Sequence, residues 1–199
     1  MKFRTSFFLS FHLMALVSFQ ALIQTNELPP LFSAIIVLFI TASFIINMRY
    51  RDYRIPGIVM NVAVVFSFIF YLYDSIVLSK SFLMASTHFL NILLVVKLFN
   101  LKRSRDYIQL FLVTFLQILA ASALTVKISF AFSLLFYILV ATWGMILYQM
   151  KAEIEERNRL FGFQKGMRVP GTFESEAVVT FPFFMMTIAV GGFSFLFTI

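Results

Sequence analysis

Cysteine is absent from the 199-residue sequence, and charged residues make up only 13% of it. The lack of cysteine excludes disulfides, thiol nucleophiles and cysteine-ligated metal sites from this chain. Its two histidines, His12 and His88, are far apart, and the sequence contains no phosphate-binding loop, dinucleotide fingerprint or cluster of metal ligands. We therefore predict no catalytic, cofactor-binding or metal-binding residues, and expect no enzyme activity from this chain.

Long apolar runs are what the sequence does contain, with a hydrophobic fraction of 61% and a mean hydropathy of +0.93. A run of about 18 apolar residues is enough to cross a bilayer as a helix. The runs are continuous rather than alternating, which favours helices over a transmembrane β-barrel. The sequence therefore predicts an all-α, polytopic transmembrane helical bundle of about seven spans, forming a single membrane domain over 1–199. The predicted spans are 6–24, 31–48, 56–73, 81–99, 107–125, 128–148 and 177–199.

Basic residues fall in short clusters between the apolar runs, which is how membrane topology is encoded. If the N-terminus is cytosolic, 14 of the 16 Lys and Arg residues lie on the cytosolic side, and only Lys80 and Lys127 lie opposite. We therefore predict a cytosolic N-terminus and, with seven spans, an extracytoplasmic C-terminus. The net charge of +7 reflects this topology and does not indicate nucleic-acid binding. The predicted topology-setting residues are Arg49, Arg51, Arg54, Lys102, Arg103 and Arg105.

The predicted cytosolic segment 149–176 begins as a continuation of the sixth helix. Glu153 with Arg157, and Glu155 with Arg159, have the i,i+4 spacing and the Glu-first order that stabilise an exposed helix. A solvated helical extension and a docking site for a cytosolic partner are both compatible with this pattern.

Several polar residues interrupt the apolar spans, where such residues are costly and often functional. His88 and Asn91 share one face of the fourth predicted span at i,i+3 spacing, and the small residues 120–123 follow Gln117 on the fifth. Because amides bond across helices that approach closely, we expect the group to be mainly structural, although a ligand site or proton path is the alternative. The candidate intramembrane polar cluster is His88, Asn91, Asn61, Thr114 and Gln117.

The stretch between His88 and Thr125 has a residue pattern that is more specific than an apolar run alone. It reads HFL at 88–90, KLFN at 97–100, KRSRDYIQL at 102–110 and TFLQILAASALT at 114–125. These residues resemble the N-terminal membrane domain of bacterial TgpA-type transglutaminase-like proteins. In that family a lysine ends one span, a basic Arg-Asp-Tyr turn follows, and the next span is rich in Gln and Ala. Trp143 and the charged run that begins at Lys151 are similar too.

The resemblance implies a membrane anchor or scaffold that tethers an extracytoplasmic papain-like transglutaminase or protease domain. It also implies a location in the bacterial cytoplasmic (inner) membrane and two partners on the cytosolic side, a MoxR-type AAA ATPase and a von Willebrand-type companion protein. The family's Cys, His and Asp triad is missing here, so no catalytic residue can be carried over. Either this is the membrane part of a longer protein, or the gene encodes only that part. The alternative function is a small transporter or lipid-handling protein that uses the polar cluster between spans three, four and five.

Overall fold

The computed structural model describes residues 3–49, 56–78, 81–101 and 104–161, and these ranges contain helices and no strand. The all-α prediction is therefore confirmed for the described part of the chain. The helices are α1 (Phe3–Ile23), α2 (Pro30–Arg49), α3 (Gly57–Tyr73) with a π-helical continuation (Asp74–Leu78), α4 (Phe82–Leu98), α5 (Ser104–Leu124) and α6 (Ile128–Phe161). Five of these are long and apolar enough to cross a bilayer, whereas α4, with 17 residues, is shorter.

Local sequence explains where the helices near the N-terminus begin and end. Asn26, in the connection after α1, has a φ of 63°, a left-handed conformation that asparagine tolerates better than most residues. Pro30 takes the first position of α2, where its missing N–H would have had no helical partner. Pro56, with a φ of −55°, similarly precedes Gly57 at the start of α3. Proline and asparagine therefore lie where the apolar pattern is interrupted, after α1 and at the starts of α2 and α3.

The first helix lies at the centre of the bundle and contacts α2, α4, α5 and α6. Of its apolar span, Ser6–Ile23, 72% is buried. Ser10, Ala15 and Ala21 on α1 are fully buried, and such small side chains allow neighbouring helices to approach closely. Gly144 on α6 lies opposite Ser10, since a Cβ at position 144 would be 3.7 Å from the Ser10 hydroxyl oxygen. The small residues of α1 thus make it the helix around which the others assemble.

The bundle has two ends, which we call the Phe7 end and the Gln24 end after residues of α1. At the Phe7 end, the Phe7 and Tyr107 rings lie 4.7 Å apart, and Lys151 Nζ lies 4.6 Å from the centre of the Tyr107 ring. At the Gln24 end, the Lys127 ammonium donates a 2.9 Å hydrogen bond to the Gln24 carbonyl oxygen. The start of α1 therefore lies beside α5 and α6, and its end lies beside the α5–α6 connection.

The third helix is peripheral. Only 11% of its span, Gly57–Leu78, is buried, and its principal helix neighbour is α4. Its exposed side chains are mainly large and apolar, including Ile58, Val62 and Phe66. An apolar surface of this extent would be unusual on a soluble monomer, whereas it is the surface that a lipid-facing helix needs. The helices therefore indicate a membrane protein whose outer surface contacts the lipid bilayer.

The sixth helix extends well beyond the length of a membrane span. Its 34 residues measure about 51 Å, against about 30 Å for the hydrocarbon core. The predicted helical continuation beyond residue 148 is confirmed as far as Phe161. Positions 162–176 and the predicted span 177–199 lie outside the described residues, so the count of seven spans stays a prediction.

One predicted connection is helical instead. The sequence placed the end of the third span at residue 73 and a short connection at 74–79, but the chain continues as a π-helix over Asp74–Leu78. We predicted a connection there because a charged residue such as Asp74 is costly inside a membrane span. Its side chain is only 1% exposed, however, and it bonds to His88 on α4. This pairing satisfies the carboxyl group inside the bundle, so the helix need not end there.

Candidate functional site

A continuous chain of hydrogen bonds joins three helices in the middle of the bundle. The Ser18 hydroxyl of α1 donates to Gln117 Oε1 of α5 at 2.8 Å, and Gln117 Nε2 donates to Asn91 Oδ1 of α4 at 2.9 Å. Asn91 Nδ2 then donates to the Thr87 carbonyl oxygen within α4 at 3.0 Å. Ser18, Asn91 and Gln117 are each 0% exposed. We call this set of residues the Gln117 network.

The Gln117 network depends on the small residues around it. Ala15 on α1 and Ala121 on α5 are fully buried near its members in sequence, and they let the two backbones approach until a serine can reach a glutamine. The amide groups of Asn91 and Gln117 bond to each other, and both side chains are 0% exposed, so neither is in contact with solvent. Because interhelical hydrogen bonds of this kind contribute about 0.6 to 2 kcal/mol each, the network can hold α1, α4 and α5 in register.

Thr114 was predicted to belong to the same polar cluster as Asn91, but its hydroxyl contacts α6. Its hydroxyl oxygen lies 3.0 Å from the Tyr137 hydroxyl oxygen, and it also donates to the Phe111 carbonyl oxygen at 2.9 Å. Thr114 is 0% exposed and Tyr137 is 3% exposed. This second contact therefore joins α5 to α6, one helical turn before Gln117.

The other two members of the predicted cluster lie elsewhere. Asn61 is exposed on α3, four residues after the helix begins, and takes no part in the Gln117 network. His88 lies one turn before Asn91 on α4, but its Nδ1 bonds to Asp74 and not to an amide. Of the five candidate residues, the structure thus brings only Asn91 and Gln117 into direct contact. Thr114 and His88 form separate contacts, and Asn61 is exposed.

Asp74 and His88 form a partly buried pair between the π-helical continuation of α3 and α4. His88 Nδ1 lies 2.7 Å from Asp74 Oδ2, and the two side chains are 20% and 1% exposed respectively. The Phe32 ring of α2 meets the His88 ring edge-on, with centroids 5.2 Å apart. Phe32 is close to the start of α2, so the pair lies in the half of the bundle nearer the Gln24 end. Asp74 also begins the π-helical turn, a feature that is frequent at functional sites.

Sequence reasoning missed Asp74, Ser18 and Tyr137. Asp74 carried a usable signal, because it is an acidic residue directly after an apolar run and 14 positions before a histidine. Ser18 and Tyr137 carried none, since serine and tyrosine are common in spans and their partners depend on which helices are neighbours.

At the Phe7 end of the bundle, polar side chains bond to one another and to backbone carbonyl groups. Lys97 Nζ donates to Gln109 Oε1 at 2.6 Å, and the Tyr107 hydroxyl donates to the Leu101 carbonyl oxygen at 3.0 Å. Of the predicted topology-setting residues, Arg49 and Arg105 are exposed. The remaining four, Arg51, Arg54, Lys102 and Arg103, lie outside the described residues.

Metal ligands are not grouped in the described ranges: no set of three or more His, Asp or Glu side chains there could hold an ion. Several polar side chains bond from one helix to another, and this arrangement is chemically suited to joining helices.

Comparison with known proteins identifies one family. The model of the TgpA N-terminal domain matches residues 12–198. No curated protein and no solved structure matches the chain.

Proposed function

The chain belongs to the TgpA N-terminal domain family, and from this premise we propose that it is a membrane anchor and scaffold for an extracytoplasmic transglutaminase-like catalytic domain. The single observation that supports the proposal best is the closed Gln117 network at the centre of the bundle. An anchor needs a bundle that keeps its helices in fixed register, and three helices are joined there by direct hydrogen bonds between side chains that are 0% exposed.

The orientation that we propose places the Phe7 end in the cytosol. The 14-to-2 distribution of Lys and Arg supports this, because basic residues are retained on the cytosolic side. With the predicted seventh span at 177–199, Ile199 would then be extracytoplasmic, where a following domain would be held near the membrane surface. The bacterial cytoplasmic membrane is the corresponding location.

We propose that the chain has no catalytic activity of its own. Catalysis by a papain-like transglutaminase or protease rests on an activated thiolate, and the sequence contains no cysteine. A longer parent protein of this family would be expected to carry the thiolate in its extracytoplasmic domain. The assay is amine incorporation and peptide cleavage by the purified chain, and turnover above background would contradict this part of the proposal.

Two cytosolic partners complete the proposal, a MoxR-type AAA ATPase and a von Willebrand-type companion protein. The part of α6 beyond residue 148 offers them a surface, because it continues past the length that a bilayer requires. Purified partners should bind the detergent-solubilised chain, and binding should be lost when α6 is shortened to Lys151. Binding that survives this truncation would exclude the α6 extension as the docking surface.

The transporter or lipid-handling alternative has less support. It requires a polar cavity between spans three, four and five, where the polar cluster would contact a substrate. Asn91 and Gln117 are instead 0% exposed and bonded to each other, and Asn61 lies on the exposed side of α3.

The anchor proposal is tested by fusing a secreted reporter domain after Ile199 and fractionating the cells. We expect the reporter to stay with the membrane after alkaline extraction, which removes peripheral proteins. The same fusion carrying Asn91→Leu and Gln117→Leu should be retained less well or degraded, while an Asn61→Leu control should behave as the parent. Release of the parent fusion into the soluble fraction would contradict the anchor role.

A further inference from the structure

The central helix α1 has one face that its described neighbours leave partly open. Beyond Phe8, the half-buried or exposed residues of this helix recur at every third or fourth position, and two of them, Leu16 and Ile23, are 38% and 37% exposed. At 3.6 residues per turn, these positions fall within about 80° of one another around the helix. We call them the α1 stripe, which consists of Leu9, Leu13, Leu16, Gln20 and Ile23.

The α1 stripe faces the gap between α2 and α6. On one side of the stripe, the His12 ring meets the Phe44 ring of α2 with centroids 5.2 Å apart. On the other side, Gln24 Nε2 donates a 2.8 Å hydrogen bond to the Ser133 hydroxyl oxygen of α6. Both α2 and α6 contact α1, but in their described residues neither is a principal neighbour of the other. The face of α1 between them therefore has room for a further helix.

Gln20 is the polar member of the α1 stripe and indicates what should cover it. Its Nε2 atom is buried but has no hydrogen-bond partner among the described residues. An unpaired amide donor is costly in a membrane, where amides ordinarily bond to a neighbouring helix. The occupant of this face should therefore be a transmembrane helix that offers an acceptor at the level of Gln20, and not lipid alone.

The chain itself supplies a candidate in the predicted span 177–199, which lies outside the described residues. Lys151 already lies at the Phe7 end of the bundle, and α6 continues about 15 Å further to Phe161. The next crossing must then start at the Phe7 end and run parallel to α1. The intervening residues 162–176 reach up to about 50 Å when extended, enough to return to the gap beside α1. The family model matches through residue 198, so this span belongs to the same domain.

The predicted span repeats the spacing of the α1 stripe, with the same steps of four and three residues. As a helix, it would place on one face Thr180, Phe184, Thr187, Gly191 and Ser194. Apart from Phe184 these residues are small or carry a hydroxyl group, which permits close helix approach. In a parallel alignment Leu16 lies beside Thr187, and Gln20 lies beside Gly191. Glycine leaves room there for the long amide side chain, and the Thr187 hydroxyl, one turn away, can accept its hydrogen bond.

We propose that residues 177–199 form the helix that covers the α1 stripe, parallel to α1 and between α2 and α6, and that Gln20 donates a hydrogen bond to it. The seventh span thereby closes the bundle around α1. Ile199 then lies at the Gln24 end, and a domain that follows it would emerge beside the α5–α6 connection. The inference concerns the packing of the chain and does not depend on the anchor role.

Disulfide cross-linking of the full chain in membranes tests the proposal without background, because the chain contains no cysteine. A disulfide requires Cβ atoms about 3.5 to 4.5 Å apart. We expect Leu16→Cys with Thr187→Cys to cross-link within one chain in most molecules. Leu16→Cys with Ala189→Cys is the matched control, since position 189 is at a similar level on the opposite face of the predicted helix, and it should not cross-link. Thiols that remain after denaturation are counted by the gel shift that a maleimide polymer produces.

Two further pairs test the direction of the span and a competing surface. Leu9→Cys should cross-link with Thr180→Cys and not with Ser194→Cys, which is about 21 Å further along the predicted helix. Phe66→Cys, at a position 71% exposed on α3, should not cross-link with Thr187→Cys. Cross-linking to position 66, cross-linking between two copies of the chain, or equal yields for the two faces of the predicted helix would overturn the proposal.

Gln20→Leu gives an independent sign. If the seventh span covers Gln20, leucine removes an interhelical hydrogen bond, and the midpoint of unfolding in mixed micelles should fall. If Gln20 faced lipid alone, leucine would replace an unpaired amide, and the midpoint would rise. Thr41→Val is the control, because Thr41 is exposed on α2 and donates a 2.8 Å hydrogen bond to the Val37 carbonyl oxygen within that helix, so the midpoint should stay nearly unchanged.

A midpoint that rises or stays unchanged in Gln20→Leu would overturn the proposed hydrogen bond. Neither this result nor a failure of the cross-links would affect the anchor function, which is tested separately by the reporter fused after Ile199.

Discussion

Replacing Gln117 by leucine should weaken the bundle at its centre. Leucine has a similar size, so the substitution removes the amide while leaving the packing largely intact. Two interhelical hydrogen bonds are lost, one from the Ser18 hydroxyl and one to Asn91 Oδ1. At about 0.6 to 2 kcal/mol for each bond, the free energy of unfolding should fall by about 1 to 4 kcal/mol.

Losing its hydrogen bond to Gln117 should be less costly for Ser18 than for Asn91. The Ser18 hydroxyl lies 3.0 Å from the Ala15 carbonyl oxygen, so it keeps an acceptor on its own helix. Asn91 Oδ1 is buried and loses its donor, and an unsatisfied buried acceptor costs about 1 to 3 kcal/mol. Ser18→Ala should therefore be milder than Gln117→Leu.

The assay is reversible unfolding of the purified protein in mixed detergent micelles. Ser122→Ala is the matched control, because Ser122 is exposed on the same helix and bonds only to the Leu119 carbonyl oxygen within it. This control should stay within about 0.5 kcal/mol of the parent. A Gln117→Leu variant as stable as Ser122→Ala would refute the view that the Gln117 network joins the helices.

Two further substitutions test other contacts of the bundle. Tyr137→Phe removes the hydroxyl 3.0 Å from Thr114 and should lower the free energy of unfolding by about 0.6 to 2 kcal/mol in the same assay, whereas Tyr148→Phe on the same helix is the control. Lys151→Met removes the cation that lies 4.6 Å and 5.0 Å from the centres of the Tyr107 and Phe7 rings, and should cost about 0.5 to 2 kcal/mol. Lys151→Arg should retain most of this stability, and equal losses in both variants would argue against a cation–π contact.

Helix positions followed from the sequence because each described helix contains an apolar run. Proline and asparagine marked the break between α1 and α2, proline preceded α3, and the continuous hydropathy favoured helices. The length of the third helical segment was underestimated, because a charged residue after an apolar run normally marks an exposed connection. Inside the helix, Asp74 bonds to His88 on α4, and no local pattern reports a partner on another helix.

The polar cluster was harder to predict, because it depends on the order of the helices around the bundle. Asn91 and Gln117 are in contact as the small residues after Gln117 led us to expect. Thr114 lies one helical turn before Gln117, and at that level of the bundle its hydroxyl contacts Tyr137 of α6. Asn61 was included because the third span was expected to face His88 and Asn91 on the fourth. The α3 helix does adjoin α4, but it presents Asn61 on its exposed surface.

The location of the C-terminus tests the anchor function most directly. Sidedness reporters fused after Asn100 and after Ile199 should give opposite results, cytosolic at Asn100 and extracytoplasmic at Ile199. This outcome requires an odd number of spans between Asn100 and Ile199. It also places a domain that follows Ile199 on the outer side of the membrane. A cytosolic result at Ile199 would contradict the central claim, because a catalytic domain that follows the chain could not then be extracytoplasmic.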